Sequence, residues 1–191
     1  MNRVLLLCVL GLVAGVNPVA SRQTSLPAAW GDTDKGLRLG LVTTSESERP
    51  EFRVAIENTT DKDVVINLGF MLANGKVMFP HAVHLILSDA HGTTRTLEYF
   101  DRRYPGVAGR VDDFLVALRA GSAYEMRLSL NQYCSAATNE FDLRLPPGPY
   151  RIEARFEGDG AKATNEDTPG IALLNFWTGS LRSNSVTFQV R

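Results

Sequence analysis

The chain has 191 residues, with 20 Lys and Arg against 21 Asp and Glu, for a formal net charge of −1 at neutral pH. Such a balance offers no broad electrostatic attraction to nucleic acid or to an anionic membrane surface, and neither is expected as a partner. Of the two cysteines, Cys8 lies in an apolar leader, so Cys134 has no intrachain partner and the fold must be held by its core rather than by a disulfide.

The leader reads "MNRVLLLCVLGLVAGVNPVASRQ". Arg3 supplies a short positive region and Val4 to Val16 an apolar run, which Asn17-Pro18 ends before the small residues of "VAS". This is the layout of a cleavable secretory signal, with the cut after Ser21. The run is shorter than the roughly 20 apolar residues of a membrane-spanning helix, and no later segment suggests insertion into a membrane. A lipoprotein reading on Cys8 is poor, because Leu7 precedes it. The expected organisation is a signal peptide at 1–21, an N-terminal extension at 22–35 and one folded domain at 36–191, exported to the periplasm or the extracellular space. Loss of residues 1–21 removes Arg3 and no acid, which moves the net charge to −2.

Period-two alternation follows along the chain. In "EFRVAIE", Phe52, Val54 and Ile56 share one face and Glu51, Arg53 and Glu57 the other. In "SAYEMRLSL", Tyr124, Met126, Leu128 and Leu130 oppose Glu125, Arg127 and Ser129. In "YRIEARFE", Tyr150, Ile152, Ala154 and Phe156 oppose Arg151, Glu153, Arg155 and Glu157. Such segments place one face on a core and the other in water, the habit of antiparallel sheets. Turn chemistry separates them. Asn74-Gly75 favours a type I′ hairpin, "DAHG" and "RAGS" mark further turns, and "LPPGPY" launches a strand from Tyr150 because proline cannot donate within a ladder. About eight or nine strands are expected, with short helical turns near 131–140 and 168–176 and no long amphipathic helix. The expected fold class is all-β, an antiparallel β-sandwich with long loop insertions.

Five stretches carry a resemblance: "AWGDTDKGLRLGL", "FRVAIENTTDKDVVINLG", "LRAGSAYEMRLSL", "LPPGPYRIEARFE" and "WTGSLRSNSVTFQV". Together they resemble exported bacterial immunoglobulin-like domains of unassigned function and, more distantly, bacterial immunoglobulin-like domains of the proteinase-inhibitor type. The resemblance implies an immunoglobulin-like sandwich. It departs from a minimal domain in two long connections, "YPGVAGRVDDF" and "EGDGAKATNEDTPGIALL".

Chemistry-bearing constellations are sparse, and the reading is of a protein without enzymatic activity. His81 and His84 stand three apart in "HAVHLILSD"; read as a strand, this puts them on opposite faces and argues against a shared metal. His91 belongs to a turn. Asp32 and Asp34 lack the remaining ligands of a calcium loop. No nucleophile elbow or phosphate loop is present, and no cofactor is expected. Cys134 reads as a small buried hydrophobe. Asn58-Thr59-Thr60 is a glycosylation sequon, which matters only in a host with that machinery. The segment 99–114 concentrates Arg102, Arg103, Tyr104, Arg110, Asp112 and Asp113 and is the candidate partner-binding loop, since arginine and tyrosine anchor interfaces; the competing reading pairs these charges internally. "GIALLNFW" at 170–177 is expected to insert into the core; the competing reading is an exposed apolar patch that marks an interface. In the closing stretch, Trp177 should cap the core while Gly179 and Asn184 shape the last strand.

These features favour an exported non-catalytic binding, adhesion or structural module contacting protein partners, present as a monomer or weak oligomer. The alternatives are a proteinase inhibitor acting through an exposed loop and a carbohydrate binder with an exposed platform from Trp30, Trp177 or Tyr104.

Overall fold

Alternation in the sequence becomes two packed layers in three dimensions. The structure, a computed structural model, describes residues 28–45, 50–72, 77–100, 111–138, 143–161 and 169–191. The expected signal peptide and residues 22–27 of the expected N-terminal extension lie outside these residues. The first sheet runs β1 (Ala29–Trp30), β2 (Leu37–Ser45), β3 (Glu51–Asn58) and β9 (Ala123–Ser129), in that order. The second runs β10 (Tyr133–Cys134), β7 (Thr94–Tyr99), β6 (Val83–Ser88) and β11 (Gly148–Asp159). On its far side, β11 pairs with β13 (Val186–Val190) through residues 148–152 and with β12 (Thr178–Arg182) through residues 155–159. A third, three-stranded sheet holds β5 (Val77–Met78), β4 (Val64–Leu72) and β8 (Val111–Leu118). All strand pairings are antiparallel.

The architecture is the expected all-β sandwich. β2 of the first sheet packs across the core against β11, β12 and β13 of the second. Tyr150 Oη donates to the Pro146 carbonyl at 3.0 Å, which ties the start of β11 to the connection before it. The described residues contain thirteen strands rather than eight or nine. The excess comes from β1, β5 and β10, each of two residues, and from the division of the closing stretch into β12 and β13. Pairs of residues are too short to show a period. Short 3₁₀ turns fall at Leu130–Gln132, Ala136–Thr138 and Pro169–Leu173, inside or beside the two expected regions.

The core follows the alternating faces. Leu37, Leu39 and Leu41 of β2 and Phe52, Val54 and Ile56 of β3 are fully buried, and Ile152, Ala154 and Phe156 of β11 meet them from the opposite layer. The Phe52 and Phe188 rings contact edge-to-face at 5.3 Å between centroids. Burial of each such side chain stabilises the fold by about 1.5–3 kcal/mol.

Where β3 passes into β4, the ribbon formed with β8 and β9 is interrupted, and Asn58 holds the break. Its side chain is fully buried. Nδ2 donates to the carbonyls of Lys62, Leu118 and Arg119 at 2.7, 3.1 and 3.2 Å. Oδ1 accepts from Thr60 N and Thr60 Oγ1 at 3.0 and 2.7 Å. The sequon asparagine is therefore a turn-organising residue whose amide is already consumed and closed to glycosylation in the folded protein.

Candidate functional site

Three places were marked by the sequence: the arginine-rich connection, the histidine pair and the closing segment. Arg102, Arg103, Tyr104 and Arg110 lie outside the described residues. Asp112 and Asp113 are in β8 rather than in a loop, paired in register with Met71 and Phe70. Asp113 is buried, and Asn67 Nδ2 donates to its Oδ1 at 2.8 Å. Asn67 also donates to the Gly160 carbonyl at 2.8 Å and accepts from Gly69 N at 3.1 Å, which ties β4, β8 and the end of β11 together.

The histidines differ from expectation. His81 lies in the turn before β6, so strand alternation does not govern it, and it lines the same cleft as His84. Asn67, Phe70, Glu157 and Asp159 complete that cleft, and the Phe70 and His81 rings stand 5.3 Å apart. Its volume is about 120 Å³, well below the roughly 300 Å³ at which sites for drug-sized ligands begin. Among the described residues, no three His, Cys, Asp or Glu side chains stand together as a metal site. Glu157 is engaged by Arg155 and accepts from Ser180 Oγ at 3.1 Å.

The remaining polar candidates serve the fold. His91 and Thr93 backbone N–H groups both donate to Asp89 Oδ1 at 2.9 Å, and these bonds, led by that from Thr93, hold the carboxyl below the usual range. Asp32 is exposed, whereas Asp34 closes a turn through reciprocal backbone bonds of 2.9 Å with Leu37. Cys134 is buried. Burial pushes the Tyr133 phenol well above its ordinary pKa, and its hydroxyl donates to the Val83 carbonyl at 3.2 Å.

The closing segment is the most built of the three. Trp177 is 4% exposed and stacks on Phe156 at 5.7 Å. Its Nε1 donates to the Asp34 carbonyl at 3.3 Å. Glycine is required beneath the indole: a Cβ on Gly158 would lie 2.5 Å from Trp177 Cε3, and one on Gly179 would lie 2.8 Å from Asp34 Oδ2. Ser183 Oγ accepts the Ala154 N–H at 2.9 Å, filling the ladder position between β12 and β13. Asn184 then ties down β1, its Nδ2 donating to the Trp30 carbonyl at 2.6 Å and its backbone N to the Ala29 carbonyl at 3.1 Å.

The apolar run just before Trp177 does not enter the core as expected. Leu173 is 87% exposed and Leu174 is 42% exposed. The reason is where the segment meets the sheet. Val65 N donates to the Asn175 carbonyl at 2.8 Å and Trp177 N to the Val65 carbonyl at 2.9 Å, so docking begins at Asn175. Upstream, the 3₁₀ turn Pro169–Leu173 carries its leucine outward. Hydrophobic density alone pointed inward, and no pattern in the sequence distinguished Leu173 from Trp177.

Neither tryptophan offers a flat exposed platform. Arg38 Cζ lies 4.6 Å from the Trp30 ring centroid, and the ring packs so closely on Gly40 that a Cβ there would stand 2.7 Å from it. Among the described residues, no helix is long and apolar enough to cross a membrane.

No protein-family model matches this chain, and no curated protein matches it in sequence. Among solved structures, it is similar to a mutant β-glucosidase from Listeria innocua in complex with laminaribiose, at 15% identity and TM-score 0.34, over 86% of this chain and 17% of that one. A β-glucosidase from the same organism in complex with isofagomine aligns at 16% identity and TM-score 0.32, over 93% of this chain and 20% of the other. A family 123 glycoside hydrolase from Clostridium perfringens aligns at 8% identity and TM-score 0.26, over 75% and 21%. The chain thus spans about a fifth or less of the length of those enzymes. Likeness of this degree transfers neither fold nor activity.

Proposed function

We propose that this chain is an exported, non-catalytic binding module that engages a protein partner through the turn at 169–175. The observation that supports this reading is the exposure of Leu173 and Leu174 on a turn clamped to β4 from Asn175 onward. A contiguous exposed apolar patch marks an interaction surface, and anchoring of the adjoining chain lowers the ordering cost of association. The small volume of the histidine cleft, the engagement of Glu157 there, and the packing of Trp30 and Trp177 against Arg38 and Phe156 leave catalysis and sugar stacking with less support. A proteinase inhibitor presents an extended segment to the enzyme cleft, and the exposed leucine here sits in a 3₁₀ turn.

The test is affinity capture from the native envelope fraction or medium with the wild-type protein and with the double variant Leu173→Ser, Leu174→Ser. Specific proteins recovered by the wild type and lost with the correctly folded variant support the assignment. Identical recovery by both overturns it.

A further inference from the structure

β9 ends the first sheet, so its outer side carries no strand among the described residues. A bare edge presents unpaired N–H and C=O groups, a template for another strand. Its side chains divide cleanly: Met126 and Leu128 are buried, while Glu125 and Arg127 are exposed. The pairing register sets Arg127 directly opposite Arg53 of β3. Arg53 Nη1 turns instead to Glu125 Oε2 at 3.6 Å. Arg127 is thus left with a like charge across the ladder and no carboxylate partner among the described residues. Along this edge, Arg53, Glu125, Met126 and Arg127 line an open concavity of about 290 Å³.

We propose that this edge pairs with the same edge of a second copy, β9 against β9, antiparallel about a two-fold axis at Met126. An isologous contact must be self-complementary, and this one is. With Met126 on the axis, Glu125 faces Arg127 of the partner subunit, and Arg127 faces Glu125 of the partner subunit. On the inner face, Tyr124 meets Leu128 of the partner subunit, which extends the apolar layer across the axis. Opposite charges in directly opposed cross-strand positions are favourable, and like charges there are not. Arg127 gains the carboxylate that its own sheet withholds. The merged sheet has eight strands, twice the four of the first sheet. A ladder of seven residues per copy is short, so the dimer is weak and concentration-dependent. This inference is independent of the role proposed for the 169–175 turn.

Sedimentation velocity or light scattering of the purified protein, across roughly 10 to 500 µM, reads the association directly. The wild type is expected to move from monomer toward dimer over that range. Glu125→Arg alone and Arg127→Glu alone each set like charges across the axis, and each should weaken association by about tenfold or more. Mixing the two variants restores opposite charges at both positions, and a heterodimer should form where neither variant dimerises alone. Effects on folding cannot imitate this pattern. Glu125→Arg removes the intrachain partner of Arg53, whereas Arg127→Glu supplies it with a new one, so their stabilities move in opposite directions while both lose association. A wild type that stays monomeric throughout, a dimer indifferent to both substitutions, or a mixture that stays monomeric would each overturn the proposal.

Discussion

Replacing Asn58 by alanine tests whether one buried amide holds the two halves of the β3–β4 and β8–β9 ribbon together. The side chain is fully buried, and its Nδ2 serves three backbone carbonyls. Of those bonds, the one to Leu118 lies in fully buried surroundings, while those to Lys62 and Arg119 are partly buried. Leaving a buried acceptor unsatisfied costs about 1–3 kcal/mol, and the partly wet carbonyls regain some water. The sum is about 2–4 kcal/mol, a large share of the roughly 5–15 kcal/mol that stabilises a domain. At about 2–4 °C per kcal/mol for a chain of this size, the midpoint should fall by roughly 5–15 °C. Thermal and urea unfolding followed by circular dichroism measure it. Asn58→Asp sharpens the test, because it keeps the shape and the acceptor toward Thr60 but turns a carboxylate oxygen on three carbonyls. Burial and repulsion raise the folded-state pKa of such an acid above its unfolded value. The neutral form is then favoured by folding, so the deficit relative to wild type is greatest at neutral pH and shrinks as pH falls. A loss under about 0.5 kcal/mol in Asn58→Ala, the range of ordinary surface substitutions, would refute the reasoning.

Gly158→Ala places a methyl 2.5 Å from Trp177 Cε3; it should cost about 1–3 kcal/mol by overpacking and shift the tryptophan emission to the red, read by fluorescence. Tyr133→Phe removes the bond to the Val83 carbonyl and should cost about 0.5–1.5 kcal/mol in chemical denaturation. For Asp89, the folded-state pKa is lowered, first by the Thr93 backbone bond. The stability advantage of wild type over Asp89→Asn should therefore be present at neutral pH, begin to shrink below about pH 4, and vanish once the pH passes the folded value; unfolding curves across acid pH check it.

Legibility in the sequence followed chain distance. The faces of β3, β9 and β11 were readable because a period of two relates neighbours, and Phe52, Met126 and Phe156 are buried as that period requires. The burial of Trp177 was readable from a lone indole amid turn residues, although its two supporting glycines were recognised only in part. The cleft shared by His81 and His84 was not, because treating the whole segment as strand imposed an alternation that the preceding turn does not obey. Asp113 looked like a loop charge from its neighbours; its amide partner is 46 residues away. Leu173 and Leu174 looked like core because hydrophobicity says nothing about which residue first meets the sheet.

By itself, the sequence determined the all-β class, the inward and outward faces of the long strands, and the turns that separate them, since each depends on local periodicity and backbone freedom. Tertiary structure alone decided that Asn58 bridges a break 60 residues from Leu118, that Trp177 lies on Gly158, and that two leucines stay in water. It also decided that Arg127 faces Arg53. Contacts of this kind depend on strand register and on which edges remain unpaired, and those are properties of the assembled sheets rather than of any one stretch of chain.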